Sequence, residues 1–363
     1  MVDQMKQVGQ FVFDPSSKPL GAGTFGKVFR GTDFKNNDAP VAIKVIPPEI
    51  LEEYKDFIDL FLREINILKE IRGDYILEFK KVLRTGSGNI YIVTNLCNGG
   101  NLEEAIAKRK SLPESEALRI LRQCTEAFVS IESLDLKNEK KEKVIIMHRD
   151  IKPANILFHD GSVRIADFGF AKMVEDKAKE KKAQHTLLGT PYYMSPQILA
   201  ETKYSYKCDI WSLGIVIYEC LYGELPWKSG SKYGLLKSIE GKPMKDFDFK
   251  GVISKDFQDL LIKMLEKDEE KRIDWHGILA HPAIVKNKKE EEEQQQLKKE
   301  EKQKPDEVKT ENKKPEESKQ ENADGSKNEN EKQPSQQITQ ENNTKPQIEE
   351  QAPKKKKIVI LDS

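Results

Sequence analysis

The stretch His148–Asn155 reads His-Arg-Asp-Ile-Lys-Pro-Ala-Asn, and twelve residues beyond it the chain reads Asp-Phe-Gly at positions 167–169. Phosphoryl transfer needs a carboxylate that orients the attacking hydroxyl, and Mg²⁺ prefers carboxylate, carbonyl and water oxygens as ligands. Asp150, Asn155 and Asp167 supply these groups. A lone carboxylate is more often a solvated surface residue, but two ordered motifs at this distance indicate phosphoryl-transfer chemistry.

A glycine-rich turn lies near the start of the chain, where residues 21–28 read Gly-Ala-Gly-Thr-Phe-Gly-Lys-Val. Glycines let a backbone approach phosphates closely, although the same spacing opens Rossmann units and occurs in plain turns. A Rossmann unit would continue into a helix, whereas this chain continues into strands, the second of which ends at Lys44. That lysine could reach phosphate oxygens, and Glu64 on a predicted helix could hold it there.

The predicted secondary structure changes from mainly strands to mainly helices near residue 97. Residues 1–96 contain short β-rich runs and one amphipathic stretch, Tyr54–Ile71, whose apolar residues recur at intervals of three and four. Residues 97–285 are mainly helical, with helices predicted over Pro113–Leu134 and Cys208–Tyr222. We predict an α+β fold with a small lobe of five antiparallel strands and one main helix, and a larger helical lobe.

Residues 286–363 are rich in Lys, Glu, Gln and Asn and contain no aromatic residue. Such a segment buries too little apolar area to offset its conformational entropy, so we predict a disordered tail with, at most, a transient charged helix over residues 290–304. Lys354–Lys357 precede Ile358–Leu361, which suggests either a solvated end or a docking or nuclear-import segment. Truncation after Asn287 is expected to leave kinase activity intact.

The composition excludes some classes of protein. Lys+Arg and Asp+Glu both number 61, which gives no general case for binding nucleic acid or a membrane surface. The four cysteines form no CxxC pair, so free thiols are expected rather than structural zinc. We find no signal peptide and no apolar run of about 18 residues, and we predict a cytoplasmic monomer with possible nuclear access through the basic C-terminus.

Residues from about 10 to 285 resemble a eukaryotic protein kinase domain, with the motifs above in the family's order. The resemblance implies a bilobal kinase fold and ATP and Mg²⁺ as cofactors. Gly21, Gly23 and Gly26 would cover the phosphates, and the adenine would lie between strands of the small lobe and Leu157. The implied ATP-binding residues are Leu20, Gly21, Ala22, Gly23, Thr24, Phe25, Gly26, Lys27, Val28, Ala42, Lys44, Thr94, Asn95, Cys97 and Leu157.

The resemblance also implies catalytic roles. Asp150 would be the catalytic base and Lys152 would neutralise the transferred phosphoryl group. Lys44 would contact the α- and β-phosphates and pair with Glu64. Asn155 and Asp167 would hold Mg²⁺. Lys152 further implies that the protein substrates are phosphorylated on serine or threonine, because tyrosine kinases carry a different loop ending.

Regulation is implied at the activation segment. Thr186 lies three residues before Gly189, where the family carries a regulatory phosphorylation site, and Arg149 would bind the phosphate added by an upstream kinase or by autophosphorylation. Thr190 would bond Asp150 and Lys152. An exposed, unmodified threonine is the alternative reading for Thr186.

One position departs from the family. Where its members read Ala-Pro-Glu, residues 195–197 read Ser-Pro-Gln, so Gln197 can offer only a neutral hydrogen bond to the arginine that matches Arg272. We expect a weaker anchor for the activation segment and intact chemistry. The main alternative, a pseudokinase or scaffold, usually lacks the equivalents of Lys44, Asp150 or Asp167. The second alternative is a protein in which the tail is the functional interaction module and the kinase domain is secondary.

Substrate preference follows from further matches. Phe170 after Asp-Phe-Gly favours serine over threonine in similar kinases. Of the carboxylates that basophilic relatives use for arginine only Glu219 remains, so weak selection for arginine three residues upstream is expected, unless Glu103 or Glu104 substitutes. The segment 98–102 and residues 190–199 resemble Unc-51-like and calcium/calmodulin-dependent-type kinases, particularly those of ciliates.

Overall fold

The computed structural model describes residues 5–23, 26–53, 69–134, 136–137, 141, 144–168, 172–175, 191–249, 251–303 and 358–360. The predicted helix over Tyr54–Ile71 lies mostly outside these residues, and Glu64 with it. Thr24, Phe25, Phe170, Thr186 and Thr190 also lie outside the described residues.

The strands divide into one large sheet and two hairpin-like pairs. In chain order they are β1 Lys6–Val8, β2 Phe11–Phe13, β3 Gly21–Gly23, β4 Gly26–Asp33, β5 Ala39–Ile46, β6 Phe79–Thr85, β7 Ile90–Asn95, β8 Val144–Met147, β9 Ile156–His159, β10 Ser162–Ile165, β11 Lys172–Glu175 and β12 Ile358–Ile360.

The large sheet is antiparallel and runs in the order β1-β2-β4-β5-β7-β6-β12, with β3 paired to β4. Its described part has eight strands, so the prediction of five was too low. The additional strands are only three residues long, and alternation of apolar and polar residues cannot be recognised over so few positions. The pairs β9 with β10 and β8 with β11 lie in the larger lobe.

Helices build the larger lobe, as predicted. The described helices are α1 Pro48–Glu53, α2 Leu102–Arg109, α3 Glu114–Glu132, α4 Pro196–Leu199, α5 Lys207–Tyr222, α6 Lys232–Gly241, α7 Lys255–Met264, α8 Trp275–Ala280 and α9 Pro282–Gln303. No helix within the described ranges is long and apolar enough to cross a membrane.

Local sequence signals fix the helix ends. Asn101 begins α2 with a capping box, in which its side chain accepts from the Glu104 N–H and the Glu104 carboxylate accepts from the Asn101 N–H. Gly223 ends α5 in the left-handed conformation, where an added Cβ would overlap the Lys110 carbonyl. The centre of α5 is almost wholly buried and includes Trp211, so this helix forms the core on which the lobe is built.

Helix α9 crosses the boundary drawn at residue 285 from the sequence. Asn287 donates from Nδ2 to the Ser115 carbonyl at 3.2 Å, and Glu291 accepts from buried Arg122 at 2.6 Å. Residues 286–303 are therefore helical, where the sequence predicts disorder, because two polar contacts dock the first turns onto α3. A truncation after Asn287 would remove Glu291. The remaining tail up to residue 357 stays a prediction.

Candidate active site

Strand alternation gives the large sheet two different faces. Across β4, β5 and β7 the register pairs Val28 with Lys44 and Lys44 with Ile92, and it pairs Ala42 with Thr94. Paired residues share a face, so these half-buried side chains line one surface. The residues between them pack into a buried cluster on the other face, which contains Phe29, Val41, Ile43, Tyr91 and Val93. The predicted adenine contacts of the sheet and Lys44 therefore lie together.

The glycine turn connects β3 to β4, with Gly21 opposite Val28 and Gly23 opposite Gly26. Gly26 has φ +142°, and a Cβ there would overlap the Val45 carbonyl oxygen, so only glycine fits. Gly21 and Gly23 have open space where a Cβ would lie. Their backbone is therefore accessible to a ligand such as a phosphate. Leu20 is half exposed and donates its N–H to the Val28 carbonyl at 2.8 Å.

The segment after β7 would form the rim of the nucleotide site. The Asn95 N–H donates to the Glu78 carbonyl at 3.1 Å, and the Asn95 side chain donates to the Glu78 carboxylate. Cys97 is partly buried, and burial raises the pKa of its thiol. A neutral thiol suits an apolar base. Leu157 lies in β9 and is bridged to Asn101, so it approaches from the larger lobe.

Lys44 reaches across to the larger lobe. Its Nζ donates to both carboxylate oxygens of Asp167, at 2.9 and 2.7 Å. Burial alone would raise the pKa of Asp167, but the Lys44 ammonium more than offsets this and holds the pKa below its usual value. The predicted partner of Lys44, Glu64, lies outside the described residues. The resemblance implies separate roles for Lys44 and Asp167, and their contact was not predicted.

The catalytic loop draws three predicted residues together. The Lys152 ammonium donates to Asp150 Oδ2 at 2.8 Å, and Asn155 Nδ2 donates to the same oxygen at 3.0 Å and to the Asp150 carbonyl at 2.8 Å. The Asp150 side chain is 4% exposed. Among the described residues the carboxylate is held through Oδ2 alone, and we expect Oδ1 to receive a hydroxyl.

A buried carboxylate under this loop sets its backbone. Asp209, on α5, accepts from the His148 N–H at 2.7 Å and from the Arg149 N–H at 2.8 Å, and so braces the loop. Arg149 has φ +64°, which a residue with a side chain adopts only at a cost. The two hydrogen bonds offset this strain. His148 also contacts the Ala166 carbonyl through Nε2 at 2.9 Å, linking the loop to the residue before Asp167.

Asn155 and Asp167 fit the chemistry of a magnesium site. The amide hydrogens of Asn155 point to Asp150, so its carbonyl oxygen faces the other way. Asp167 is held ionised by Lys44. A carboxylate and an amide oxygen are ligands that Mg²⁺ accepts, usually together with phosphate oxygens and water.

The anchor of the activation segment differs from the expectation in one respect. Arg272 Nη2 donates to Gln197 Oε1 at 3.0 Å, the neutral hydrogen bond that the sequence predicts. In addition Glu269 Oε1 lies 3.6 Å from Arg272 Nη1, so a carboxylate is present from another position. Burial lowers the pKa of Arg272 to about 10. The sequence interpretation missed Glu269, although it stands three residues before Arg272.

A second missed contact involves Glu219. The Tyr193 hydroxyl donates to Glu219 Oε2 at 2.7 Å, so the one retained carboxylate already has a donor. Burial and the nearby charge of Glu103 raise the pKa of Glu219, while the Tyr193 bond opposes this. Glu104 is held in the capping box of α2.

This fold and the contacts of Lys44 and Asp150 agree with the kinase domain that the resemblance implies. Residues 15–284 match the family model described as the protein kinase domain. The chain is 34% identical over 284 residues to serine/threonine-protein kinase atg1 of Dictyostelium discoideum, covering 76% of this chain and 39% of that protein.

Two further relatives show the same pattern. The chain is 33% identical to human serine/threonine-protein kinase ULK3, covering 73% of this chain and 53% of that protein. It is 35% identical to calcium-dependent protein kinase 3 of Plasmodium berghei, covering 76% of this chain and 47% of that protein. The chain thus spans about half or less of the length of these relatives. It belongs to the protein kinase family.

Proposed function

We propose that the protein transfers the γ-phosphate of Mg-ATP to serine or threonine hydroxyls of protein substrates. The observation that carries the proposal is the Asp150 carboxylate, whose Oδ2 accepts from Lys152 and Asn155, while no described residue donates to Oδ1. Positioning and electrostatic stabilisation account for most of the catalysis in phosphoryl transfer.

In this proposal the substrate hydroxyl donates its hydrogen bond to Asp150 Oδ1. Its oxygen attacks the γ-phosphorus as the bond from that phosphorus to the ADP oxygen breaks, and the proton passes to Asp150. The Lys152 ammonium, 2.8 Å from Asp150, neutralises charge on the transferred group. Lys44 lies on the same sheet face as Ala42 and Thr94 and binds the α- and β-phosphates.

Asn155 and Asp167 would hold Mg²⁺, which when bound neutralises phosphate charge and orients the β- and γ-phosphates. The family uses ATP and Mg²⁺ in general. The finer assignment of each ligand in this chain is part of the proposal. Asp167, kept ionised beside Lys44, needs no proton loss before it binds a cation.

Relatives support the substrate class, since those named above carry serine/threonine kinase or protein kinase in their names. A pseudokinase would retain this fold without transfer. Lys44, Asp150 and Asp167, the residues that such proteins usually lose, are all present in this chain. No observation favours the alternative.

Turnover of radiolabelled ATP by the purified chain tests the proposal. Lys44→Met, Asp150→Asn and Asp167→Asn should each reduce peptide phosphorylation by about 10²–10⁴-fold, the range expected when a positioned catalytic group is removed. Asp246→Asn, at an exposed position, is the matched control and should retain activity. Near-normal turnover by Asp150→Asn or Asp167→Asn would refute the assignment.

Activation through Thr186, the domain division at residues 96 and 285, a monomeric state and a cytoplasmic location remain predictions from the sequence. Phosphatase treatment and Thr186→Ala test the first of these. If neither changes the activity of the purified chain, regulation at Thr186 is wrong. A loss of activity in both would support a phosphate that orders the activation segment.

A further inference from the structure

Strand β6 forms an edge of the large sheet on the side opposite to β7, and that edge is taken by a segment from the far end of the chain. In β12, Ile358 pairs with Thr85, Val359 with Arg84 and Ile360 with Leu83, in antiparallel register. These residues belong to the same compact unit as residues 1–295. The strand is thus part of the kinase body although the sequence places it in the charged tail.

An open sheet edge has a row of N–H and C=O groups that seek a partner. Strand β6 contains no proline, and its residues Val82 and Leu83 are buried in the core of the sheet, so its backbone is held in place by its other neighbours. Such an edge is a preformed site for strand addition, in which main-chain hydrogen bonds supply the affinity. We propose that this edge is a docking site whose occupant is the chain's own segment Ile358–Ile360, bound intramolecularly.

The shortness of the strand favours an intramolecular occupant. Three residue pairs form only a few main-chain hydrogen bonds, too few to offset the loss of translational and rotational freedom when a separate molecule binds. A covalent link raises the effective concentration of the segment. Residues 304–357 can span up to about 180 Å when extended, so their length permits the contact.

The charged residues of β6 and those that flank Ile358–Ile360 agree with the antiparallel pairing. Strand β6 carries Lys80, Lys81 and Arg84, and the segment is followed by Asp362. The described register ends at Ile360 opposite Leu83, and a ladder continued by two residues would pair Asp362 with Lys81. Opposite charges at directly paired positions stabilise a sheet, whereas like charges destabilise it. In the sequence the basic residues Lys354–Lys357 precede the segment and Asp362 follows it.

Hydrogen–deuterium exchange of the full chain tests the docking. In a strand, alternate residues donate their N–H groups to the same neighbouring strand, so one of the two adjacent residues Ile358 and Val359 must donate to β6. The double substitution Ile358→Pro and Val359→Pro therefore removes that donor in either case. It should accelerate exchange of the β6 amides that do not face β7 by roughly tenfold. The control, Gln336→Pro with Gln337→Pro, places the same pair of prolines elsewhere in the tail and should leave β6 exchange unchanged.

The results of this experiment distinguish the chain's own segment Ile358–Ile360 from a second copy of the chain as the occupant of the β6 edge. Equal β6 exchange in the parent chain and the Ile358→Pro, Val359→Pro variant would overturn the proposal. Protection that disappears on dilution would also overturn it, because it would come from a second copy. A charge exchange sharpens the register: Lys81→Glu should accelerate β6 exchange, and addition of Asp362→Lys should restore protection. Purely additive effects of these two substitutions would contradict the register. None of these residues belongs to the proposed catalytic machinery, so a failure here leaves the proposed function unaffected.

Discussion

Two buried ionic side chains hold the catalytic loop and the activation segment, and they differ in whether a residue of opposite charge lies within ion-pair distance. Asp209 and Arg272 are each 1% exposed. Asp209 holds the catalytic loop and receives two backbone N–H groups at 2.7 and 2.8 Å. Burial raises the pKa of Asp209, although the neighbouring His148 and these two bonds work against the shift.

Arg272 holds the activation segment mainly through neutral acceptors. It donates to the carbonyls of Glu266 and Lys207, both at 2.9 Å, and to the Gln197 amide at 3.0 Å. The guanidinium lies over the Trp211 ring, 5.2 Å from its centroid. Among the described residues Glu269 is the carboxylate within ion-pair distance, at 3.6 Å. Aligned dipoles can therefore stabilise a buried charge, as they do at Asp209, whereas the guanidinium of Arg272, with its five donors, is also stabilised by a nearby carboxylate.

Asp209→Asn should have the largest effect of the substitutions that target these anchors. An asparagine can accept from only one of the two N–H groups and would present its own N–H₂ to the other, so one buried donor loses its partner at a cost of about 1–3 kcal/mol. Displacement of Asp150 by about 1 Å would lower kcat by roughly 10²-fold. Urea denaturation and steady-state kinetics measure the two effects.

Asp246→Asn, at an exposed aspartate, controls for the loss of one negative charge and should leave both quantities unchanged. If Asp209→Asn destabilises the protein but keeps full kcat, then Asp209 supports the fold without positioning the catalytic loop. The contrast between the two anchors would then rest on stability alone.

Glu269→Gln tests whether Arg272 depends on the carboxylate that lies 3.6 Å from its Nη1. Glu269 Oε2 accepts from the Ser205 N–H at 3.0 Å, while Oε1 faces Arg272 without a hydrogen-bond partner among the described residues. Its replacement should lower the free energy of unfolding by about 1–3 kcal/mol because a buried guanidinium loses charge compensation. The change in kcat at saturating substrate, expressed as a free energy, should be smaller than the change in the free energy of unfolding.

Gln197→Glu provides the matched rescue. It would place a carboxylate next to Arg272 Nη2 and forfeit the hydrogen bond from Gln197 Nε2 to the Lys267 carbonyl. We expect it to restore most of the stability in the Glu269→Gln protein and to add little to the parent chain. Strict additivity in this double-mutant cycle would show that Glu269 and Gln197 do not share Arg272.

The sequence predicted the parts of the site that depend on local order. Strand alternation around Val41–Lys44 predicts which side chains share a face, and the spacing from Asp150 to Asp167 is fixed by two short motifs. It could not predict the contact of Lys44 with Asp167, which joins residues 123 positions apart in the chain. That contact depends on how the two lobes pack.

Other differences have the same physical origin. Residues 286–291 read as a charged segment, yet the packing of α9 against α3 gives Asn287 and Glu291 hydrogen-bond partners that composition does not reveal. Ile358–Ile360 are three apolar residues in a polar tail, and only the register against β6 distinguishes a strand from a solvated end. Tertiary partners decide these short or polar elements, because their own propensities are weak.

Glu291→Gln extends the comparison to a third buried cation. Arg122 is paired with Glu126 at 3.2 Å and with Glu291 at 2.6 Å, so it relies on charges where Arg272 relies on dipoles. Loss of one of two carboxylates should lower the free energy of unfolding by about 0.5–1.5 kcal/mol and leave activity unchanged. Glu290→Gln, at the adjacent exposed position, is the control in the same urea titration.

Truncation after Asn287 should be less stable than truncation after Gln303 by the same amount, because both remove β12 and only the shorter chain lacks Glu291. Equal stability of the two truncated chains would mean that Glu126 alone satisfies Arg122. In that case the boundary at residue 285 predicted from the sequence would be adequate for the stability of the kinase body.

The smallest expected effect concerns Glu219, a second carboxylate of α5 that, unlike Asp209, is only half buried. Its donor is the neutral Tyr193 hydroxyl, so the negative charge remains, but Oε2 is occupied. We expect the enzyme to select arginine three residues before the phosphoacceptor by only a few-fold, because a partly exposed ion pair contributes about 0.2–1 kcal/mol. The raised pKa of Glu219 means that its charge is lost as pH falls through that pKa, and selection should weaken in the same direction.

An oriented peptide library measured on three proteins would decide this point. Glu219→Gln should abolish the residual selection for arginine, and Tyr193→Phe should strengthen it, because the carboxylate loses its competing donor while Glu103 still adds negative charge nearby. Strong selection in the parent chain that survives Glu219→Gln would show that Glu103 recognises the arginine instead, since Glu104 is engaged at the start of α2. Unchanged selection in Tyr193→Phe would show that a neutral donor does not reduce the ability of a half-buried carboxylate to bind arginine. The difference between charged and neutral partners would then matter only for fully buried groups such as Asp209 and Arg272.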